Sequence, residues 1–532
     1  MQRDLAGLSN ENFDVVVIGG GIYGACIARD AAYRGLSVAL VERGDFGHAT
    51  SHNSLRLIHG GLRYLQHLDF RRVRQSIGEQ NFWLRAAPHI VRPLKFVMPT
   101  YGLGTRGPAA LWAGTQLYRL LAYDRNRGVD ESSRIPAGGV ISRQALADTV
   151  PGLRGSDING GAVWYDAQIL DPDRLIMEVL QDAESKGARP VNYVEAMGFL
   201  RQGRKISGIR AYDHVGRAEI EIMGNMTICS SGPWTGTLTG EVHSPNESVA
   251  PILTKGMNIV TRPLGPHVAF GVRSARRSDA VVGKSQRMYF ATPAAGCTVI
   301  GTTHFPYSGS PDDCEFTEEE VAEFLDEFNA AYPDAELGME DVYYWHGGLT
   351  PAEDGDGDEV IRGHQAEIID HNSKDQVEGL ISVIGVKYTT SRLVAENAVD
   401  LIYKKNGSRP PECAARNAQL PGAQPHDPDS RFPTYGSNAE RLESLAPDID
   451  DHAKSTFVAR CRYALQNEMA VHLDDLIIRR TMQARQGQLS EQLFDEAAEL
   501  MAGHFDWNDA EKQMEIDNTR ARLAEHGVFL AR

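Results

Sequence analysis

Long apolar runs, paired cysteines and an excess of positive charge are all missing from this chain, and each absence excludes a class of protein. No run of about 18 apolar residues occurs, so no membrane-spanning helix is expected. The first ten residues, MQRDLAGLSN, lack the apolar centre of a secretory signal. The six cysteines, at 26, 229, 297, 314, 413 and 461, form no CxxC pair and no zinc spacing. They read as reduced, mostly buried thiols, which suits a cytoplasmic compartment and gives no reason to expect a metal. A formal net charge of −17 would repel a polyanion, so no nucleic-acid partner is expected, and an anionic substrate needs its own local cations. No internal repeat is visible. What is present is ordinary globular material: 532 residues, 42% apolar and 23% charged, enough for two or three domains.

The most informative stretch is FDVVVIGGGIYGACIARDAAYRGLSVALVERGD, residues 13 to 45. Val15 to Ile18 form a continuous apolar run, as a strand buried on both faces of a parallel sheet requires. A glycine turn follows, then a helix from Ile22 to Tyr33 and a second buried strand from Ser37 to Val41. Gly19, Gly21 and Gly24 match GxGxxG, and Glu42 lies 18 residues beyond Gly24. Gly19 permits the tight turn, Gly21 removes a side chain that would block a pyrophosphate, and Gly24 lets helix and strand approach. The helix N-terminus offers roughly half a positive charge to the phosphates, and Glu42 suits the adenosine ribose. The polar segment ATSHNS follows, carrying Thr50, Ser51 and Ser54, and then the glycine pair Gly60-Gly61. This continuation favours the longer cofactor FAD over NAD, with the three hydroxyls as hydrogen-bond partners. Taken alone, the same segment would read as a polar loop capping a helix.

Further along, AVWYDAQILDPDRLIMEVLQDAESKG reads as a strand and a helix whose start is marked by Asp171-Pro172. MTICSSGPW is a strand entering a small-residue turn, where Gly232 permits close approach to a ligand. Residues 251 to 303 read as alternating strands, with a hairpin around Pro293 to Gly296. GLISVIGVKYTTSRLVAENAVDLIYKK again gives strand, glycine turn at Gly385 and helix, with Lys387 in the turn and Thr389 near the helix start. Such a helix points its positive end at a flavin ring. EDGDGDE, residues 353 to 359, is like a calcium loop, but Glu359 and Gln365 occupy the places of the required glycine and glutamate, so it reads as a solvated acidic turn.

These motifs in this order resemble the FAD-dependent glycerol-3-phosphate dehydrogenases, within the flavoproteins that include D-amino-acid oxidase. The resemblance rests on IGGGIYGACIARDAAYRGLSVALVE, ATSHNSLRLIHGGLRYL, SSGPW, IGTT, VIGVKYTTSR and NEMAVHLDDLIIRRT. It implies an α/β fold: a discontinuous FAD-binding Rossmann-like domain, an inserted antiparallel-sheet substrate lobe and a C-terminal helical domain. The expected boundaries are 10–79, 155–235 and 357–405 for the FAD domain, 80–154 and 236–356 for the substrate lobe, 406–437 for a linker and 438–532 for the helical domain. The resemblance places His59, Gly60 and Gly61 at the junction of flavin and substrate, with Arg63 and Tyr64 facing the substrate. The implied reaction oxidises a secondary alcohol by hydride transfer to flavin N5, with Lys387 stabilising the developing alkoxide.

Departures from the family cluster at the expected pocket. Thr350 stands where an arginine grips the substrate phosphate, and Asn258 where a histidine is usual. His304 replaces an aspartate after IGTT, and SHNSLR is bulkier than the family's small residues. A threonine gives one neutral hydrogen bond where arginine gives a charge-assisted pair, and asparagine cannot titrate. The expectation is therefore a retained flavin reaction on an altered substrate, such as a larger polyol phosphate or a related hydroxy compound. Arg362 matches another basic position that could hold an anion, and His304, His346 and His364 are candidate replacement bases. Electrons would pass to a quinone or to oxygen, so an oxygen-using oxidase is an alternative reading, as is a flavin protein that has lost catalysis. Peripheral contact with the inner face of the membrane and a homodimer are left open.

Overall fold

The computed structural model describes the whole chain except residues 103, 105, 106, 154, 156, 243–251, 278–285, 355–359, 363, 364, 425–428 and 531–532. The apolar run at the start forms the buried strand Asn12–Ile18. It pairs in parallel with Val38–Val41 on one side and with Ala218–Cys229 on the other. Arg189–Val191 extends the first edge and Leu380–Ile384 the second, both in parallel. Three distant segments thus build one sheet, and the domain is discontinuous for that reason. The helix Ile22–Tyr33 is rich in alanine, so its backbone sits close to the sheet. It shares a core with Pro172–Ser185 and Ser391–Lys405 through Ala25, Ala28, Leu175, Val179, Ala395 and Ala398. Asp171 caps the middle of these helices, accepting the Arg174 N–H at 3.0 Å.

The second sheet is mainly antiparallel. Leu253–Thr261 runs between Cys297–Tyr307 and Val342–Asp354, and the hairpin of Gln286–Ala294 with Cys297–Tyr307 turns through Gly296 in the left-handed region. Its outer face is covered by Glu318–Ala331, whose Phe324 and Phe328 share a core with Val272 and Tyr289. One segment departs from the expected boundaries. Ile158–Ile169, assigned with 155–235 to the cofactor domain, pairs along its length with Val91–Tyr101 in the second sheet, and the short strand Leu57–Ile58 pairs with it too. A strand followed by a capped helix reads locally as a βα unit. The sheet such a strand joins is decided by residues more than fifty positions away.

Of residues 406–437, expected as a linker, parts of the described stretch from Cys413 onward are instead packed down. Arg29 on the nucleotide helix donates to the carbonyls of Ala415 (3.0 Å) and Ala418 (3.2 Å), and Leu420, Phe432 and Tyr435 are buried. The C-terminal helices, His452–Asn467, Glu491–Phe505 and Asp509–Glu525, share a core with Val260, Val299 and Tyr344 of the second sheet. They also reach the first domain through charge. Asp45, three residues past Glu42, accepts from Arg479 Nε at 2.6 Å and from both terminal nitrogens of Arg480 at 2.8 Å. Against the upward push of burial, these two guanidiniums hold the Asp45 carboxyl below the usual carboxylate range. Its stabilisation is therefore present above the ordinary aspartate value and is lost as pH falls through the depressed one.

Asp45→Ala leaves two buried guanidiniums short of their shared counter-charge and is expected to lower stability by about 3–5 kcal/mol. Urea unfolding of the holoprotein measures this, and an unchanged midpoint would show that the contact is dispensable.

Candidate active site

The glycine turn is shaped by contact distances. Gly19 lies in the left-handed region, and a Cβ there would sit 2.4 Å from the Ser230 carbonyl. A Cβ on Gly24 would come within 1.8 Å of the Gly19 carbonyl, so helix and turn touch backbone to backbone. A Cβ on Gly21 would meet only Ser51 Oγ, at 3.0 Å, and otherwise faces open space. Ser51 Oγ accepts the Ile22 N–H at 3.0 Å, which holds the following loop over the helix start. Glu42 accepts the N–H groups of Gly20 (2.7 Å) and Gly44 (3.0 Å).

Gly19, Gly21, Ile22, Glu42 and Ser51 line one cavity of about 560 Å³, together with Thr50, Ser54, His59, Gly232, Gly385, Lys387 and Thr389. Its walls come from both sheets: Asn258, His304 and Thr350 of the second sheet face the same space as the glycine turn. A cavity running past a helix N-terminus that has no side chain at Gly21, with a carboxylate beyond it, fits the adenosine, diphosphate and ring of FAD. Thr50 ties the walls together, donating to the Leu349 carbonyl at 3.0 Å, and Ser54 accepts the Arg56 N–H at 3.3 Å. Gly232 has a positive φ and nothing within 4 Å of an added Cβ.

Lys387 is positioned by a residue that sequence reasoning passed over. Tyr23, inside the glycine fingerprint, donates to the Lys387 carbonyl at 2.7 Å and accepts the N–H groups of Val386 and Lys387 at 3.2 and 3.1 Å. Gly385 is a glycine because that ring lies against it, with a Cβ there 2.4 Å away. The Lys387 ammonium bonds the Tyr64 hydroxyl and lies 4.6 Å from the centre of its ring. No sequence spacing announces Tyr23, because its partner is more than 350 residues distant.

The remaining expected site residues divide. Gly60 and Gly61 are required by the protein's own packing. A Cβ on Gly60 would lie 2.2 Å from the Tyr118 hydroxyl, and one on Gly61, which has a positive φ, 2.7 Å from Ser76. Thr389 Oγ1 accepts the His59 N–H at 3.1 Å. Arg63 is exposed on the short helix Leu62–His67 and does not line the cavity. Asn258 is fixed by Thr302, whose hydroxyl donates to its Oδ1 at 2.7 Å. Thr350 Oγ1 is buried with no partner among the described residues. His346 is not part of the cavity wall. It is fully buried, neither ring nitrogen has a partner among the described residues, and burial with Arg56 and Arg485 nearby pushes its imidazole well below the ordinary value. It is thereby corrected from candidate base to interior residue. Arg362 ends the short strand Val360–Arg362, but its side chain and all of His364 lie outside the described residues.

A nucleotide-binding turn, a second sheet closing the cavity and a lysine at its wall define an FAD-dependent oxidoreductase of the two-domain flavoprotein class. The family model described as FAD dependent oxidoreductase matches residues 14–401, and that of the C-terminal domain of alpha-glycerophosphate oxidase matches 406–512. The chain is 33% identical to glycerol-3-phosphate dehydrogenase of Synechocystis over 90% of each chain. It is 29% identical to aerobic glycerol-3-phosphate dehydrogenase of Staphylococcus saprophyticus, over 95% of this chain and 93% of that one. The fold matches the crystal structure of glycerol-3-phosphate dehydrogenase from Bacillus halodurans complexed with FAD, at a TM-score of 0.77, 23% identity and coverage of 99% and 98%. The chain belongs to the FAD-dependent glycerol-3-phosphate dehydrogenase family, and FAD is its cofactor.

Gly21→Val separates cofactor binding from folding, because its side chain would enter the cavity with only Ser51 to displace. The variant is expected to keep its far-ultraviolet circular dichroism and to purify without the flavin absorbance band. Normal flavin content would place the diphosphate elsewhere.

Proposed function

We propose that the chain oxidises the secondary hydroxyl of a polyol phosphate, or a related hydroxy compound, other than glycerol 3-phosphate. When bound, FAD supplies the acceptor for the hydride leaving the carbinol carbon. Lys387, at the cavity wall and held by Tyr64, offers a cation to the oxygen as its proton departs. The observation that carries the substrate reading is that Asn258, His304 and Thr350, three departures scattered over the sequence, line one cavity. Thr350 offers a neutral hydroxyl where a phosphate would otherwise meet a guanidinium. Arg362 remains the basic residue proposed for holding an anion.

Anaerobic bleaching of the flavin by a panel of polyols and polyol phosphates tests this. A larger polyol phosphate is expected to reduce the flavin faster than glycerol 3-phosphate. Thr350→Arg is expected to improve reduction by glycerol 3-phosphate by about 10-fold or more, as a charge-assisted pair replaces a neutral bond. Rapid reduction of the unaltered protein by glycerol 3-phosphate alone would end the reading.

For the electron acceptor the reading is a quinone reached at a membrane surface, with oxygen as the alternative. No helix among the described residues is long and apolar enough to cross a membrane. Support comes from Leu68, Phe70, Trp112, Leu120 and Tyr123, large apolar side chains left exposed around helix Pro108–Leu121. Residues 62–127 hold eleven Arg or Lys against three Asp or Glu, in a chain whose net charge is −17. Leu120→Glu combined with Trp112→Glu is expected to abolish co-sedimentation with phosphatidylcholine vesicles containing phosphatidylglycerol. Equal recovery with purely zwitterionic vesicles, or none with either, would exclude this surface, and peroxide release during turnover would favour oxygen.

A further inference from the structure

His59 reaches the cavity wall with its ring held by a buried carboxylate. Its Nδ1 lies 3.1 Å from Asp166 Oδ2, across 107 residues of sequence. Asp166 is buried in the strand Ile158–Ile169, whereas the His59 side chain is 57% exposed, so the carboxylate is the fixed partner and the imidazole the accessible one. Three further donors hold the carboxylate: the Gly60 N–H at 2.6 Å, Gln80 Nε2 at 3.2 Å and Trp164 Nε1 at 3.4 Å. The loop is clamped on its other side as well, where the Tyr118 hydroxyl donates to the Gly60 carbonyl at 3.0 Å. Burial raises the Asp166 carboxyl, yet the contacts from His59, Gly60 and Trp164 bring it below its ordinary value, so it is ionised.

We propose that Asp166 is a positioning residue: it keeps the proton of His59 on Nδ1 and leaves Nε2 as the acceptor for the substrate hydroxyl proton. This role rests on the alcohol-oxidising reading above. In the step, the O–H bond breaks and its proton goes to Nε2, while the carbinol C–H bond breaks with its electron pair leaving as hydride to the cofactor. A carbonyl forms on the substrate. The imidazolium so produced is balanced through Nδ1–H by the Asp166 carboxylate. Among other candidates, Asn258 has no titratable group, His346 lies outside the cavity and the Lys387 ammonium is engaged with Tyr64. His304 lines the cavity and is the competitor to be tested. The charged and titratable groups packed around the pair are Tyr118, which burial and Asp166 push up, Arg125 beside Tyr118, and Lys387 with Tyr64.

Asp166→Asn separates positioning from structure, because its amide oxygen still accepts the Gly60 N–H while its NH₂ favours the opposite histidine tautomer. In the holoprotein labelled with ¹⁵N-histidine, the His59 signal is expected to switch from the Nδ1–H to the Nε2–H form. The rate of flavin reduction by the best alcohol of the panel is expected to fall by about 10²–10⁴-fold with little change in KM. Flavin content and melting temperature should stay near those of the unaltered protein, and Asp166→Glu should restore part of the rate. A variant with an unaltered rate and tautomer overturns the inference, as does a rate that falls with His304→Gln and not with Asp166→Asn. If no alcohol reduces the unaltered protein, the reaction itself fails. If alcohols reduce it and Asp166→Asn is silent, only the positioning role fails.

Discussion

A carboxylate buried without partners is too costly to survive folding, and Asp45 is buried in the loop that follows Glu42. Its two guanidinium partners, Arg479 and Arg480, come from the C-terminal domain. The buried charge of that loop is therefore balanced from the middle of the helical domain. That loop carries Thr50 and Ser51, which bond to the second sheet and to the nucleotide helix. The C-terminal domain thereby supports the loop that lines the cavity, although none of its described residues lines it.

The cavity itself is a seam. One wall is the glycine turn and the turn bearing Lys387, joined through Tyr23, and the other is the antiparallel sheet bearing Asn258, His304 and Thr350. Rigid contacts along the first wall suit a cofactor that does not vary within the family. The second wall presents single side chains from separate strands, each replaceable without disturbing the pairing around it. On the proposed function, substitution at the second wall would change what is recognised and leave the first wall as it was.

Asp166 shows how one buried carboxylate fixes a loop at the edge of the cavity. It stands on a strand of the second sheet and grips the loop that begins with His59, so one buried anion sets both a backbone and an imidazole. Buried polar groups of this kind demand complete satisfaction, and here the demand is met by a backbone amide, two side-chain donors and a ring nitrogen.

The features legible in the sequence were those written in neighbouring residues. The buried strand, the spacing of Gly19, Gly21 and Gly24, the acid at Glu42 and the cap at Asp171 each depend on periodicity or contact within one supersecondary unit. The order of family motifs, running nearly the length of the chain, also made the helical C-terminal domain and FAD legible. Folding in three dimensions decided that Ile158–Ile169 joins the second sheet, that Leu420, Phe432 and Tyr435 of the expected linker are buried and that His346 lies inside the protein. It also decided that Tyr23 serves Lys387 and that Asp166 serves His59. These outcomes turn on pairing between segments tens to hundreds of residues apart. A strand or a side chain carries the capacity for such a bond in its own sequence, but which partner satisfies it is settled only by the distances left after every other buried group has found its own.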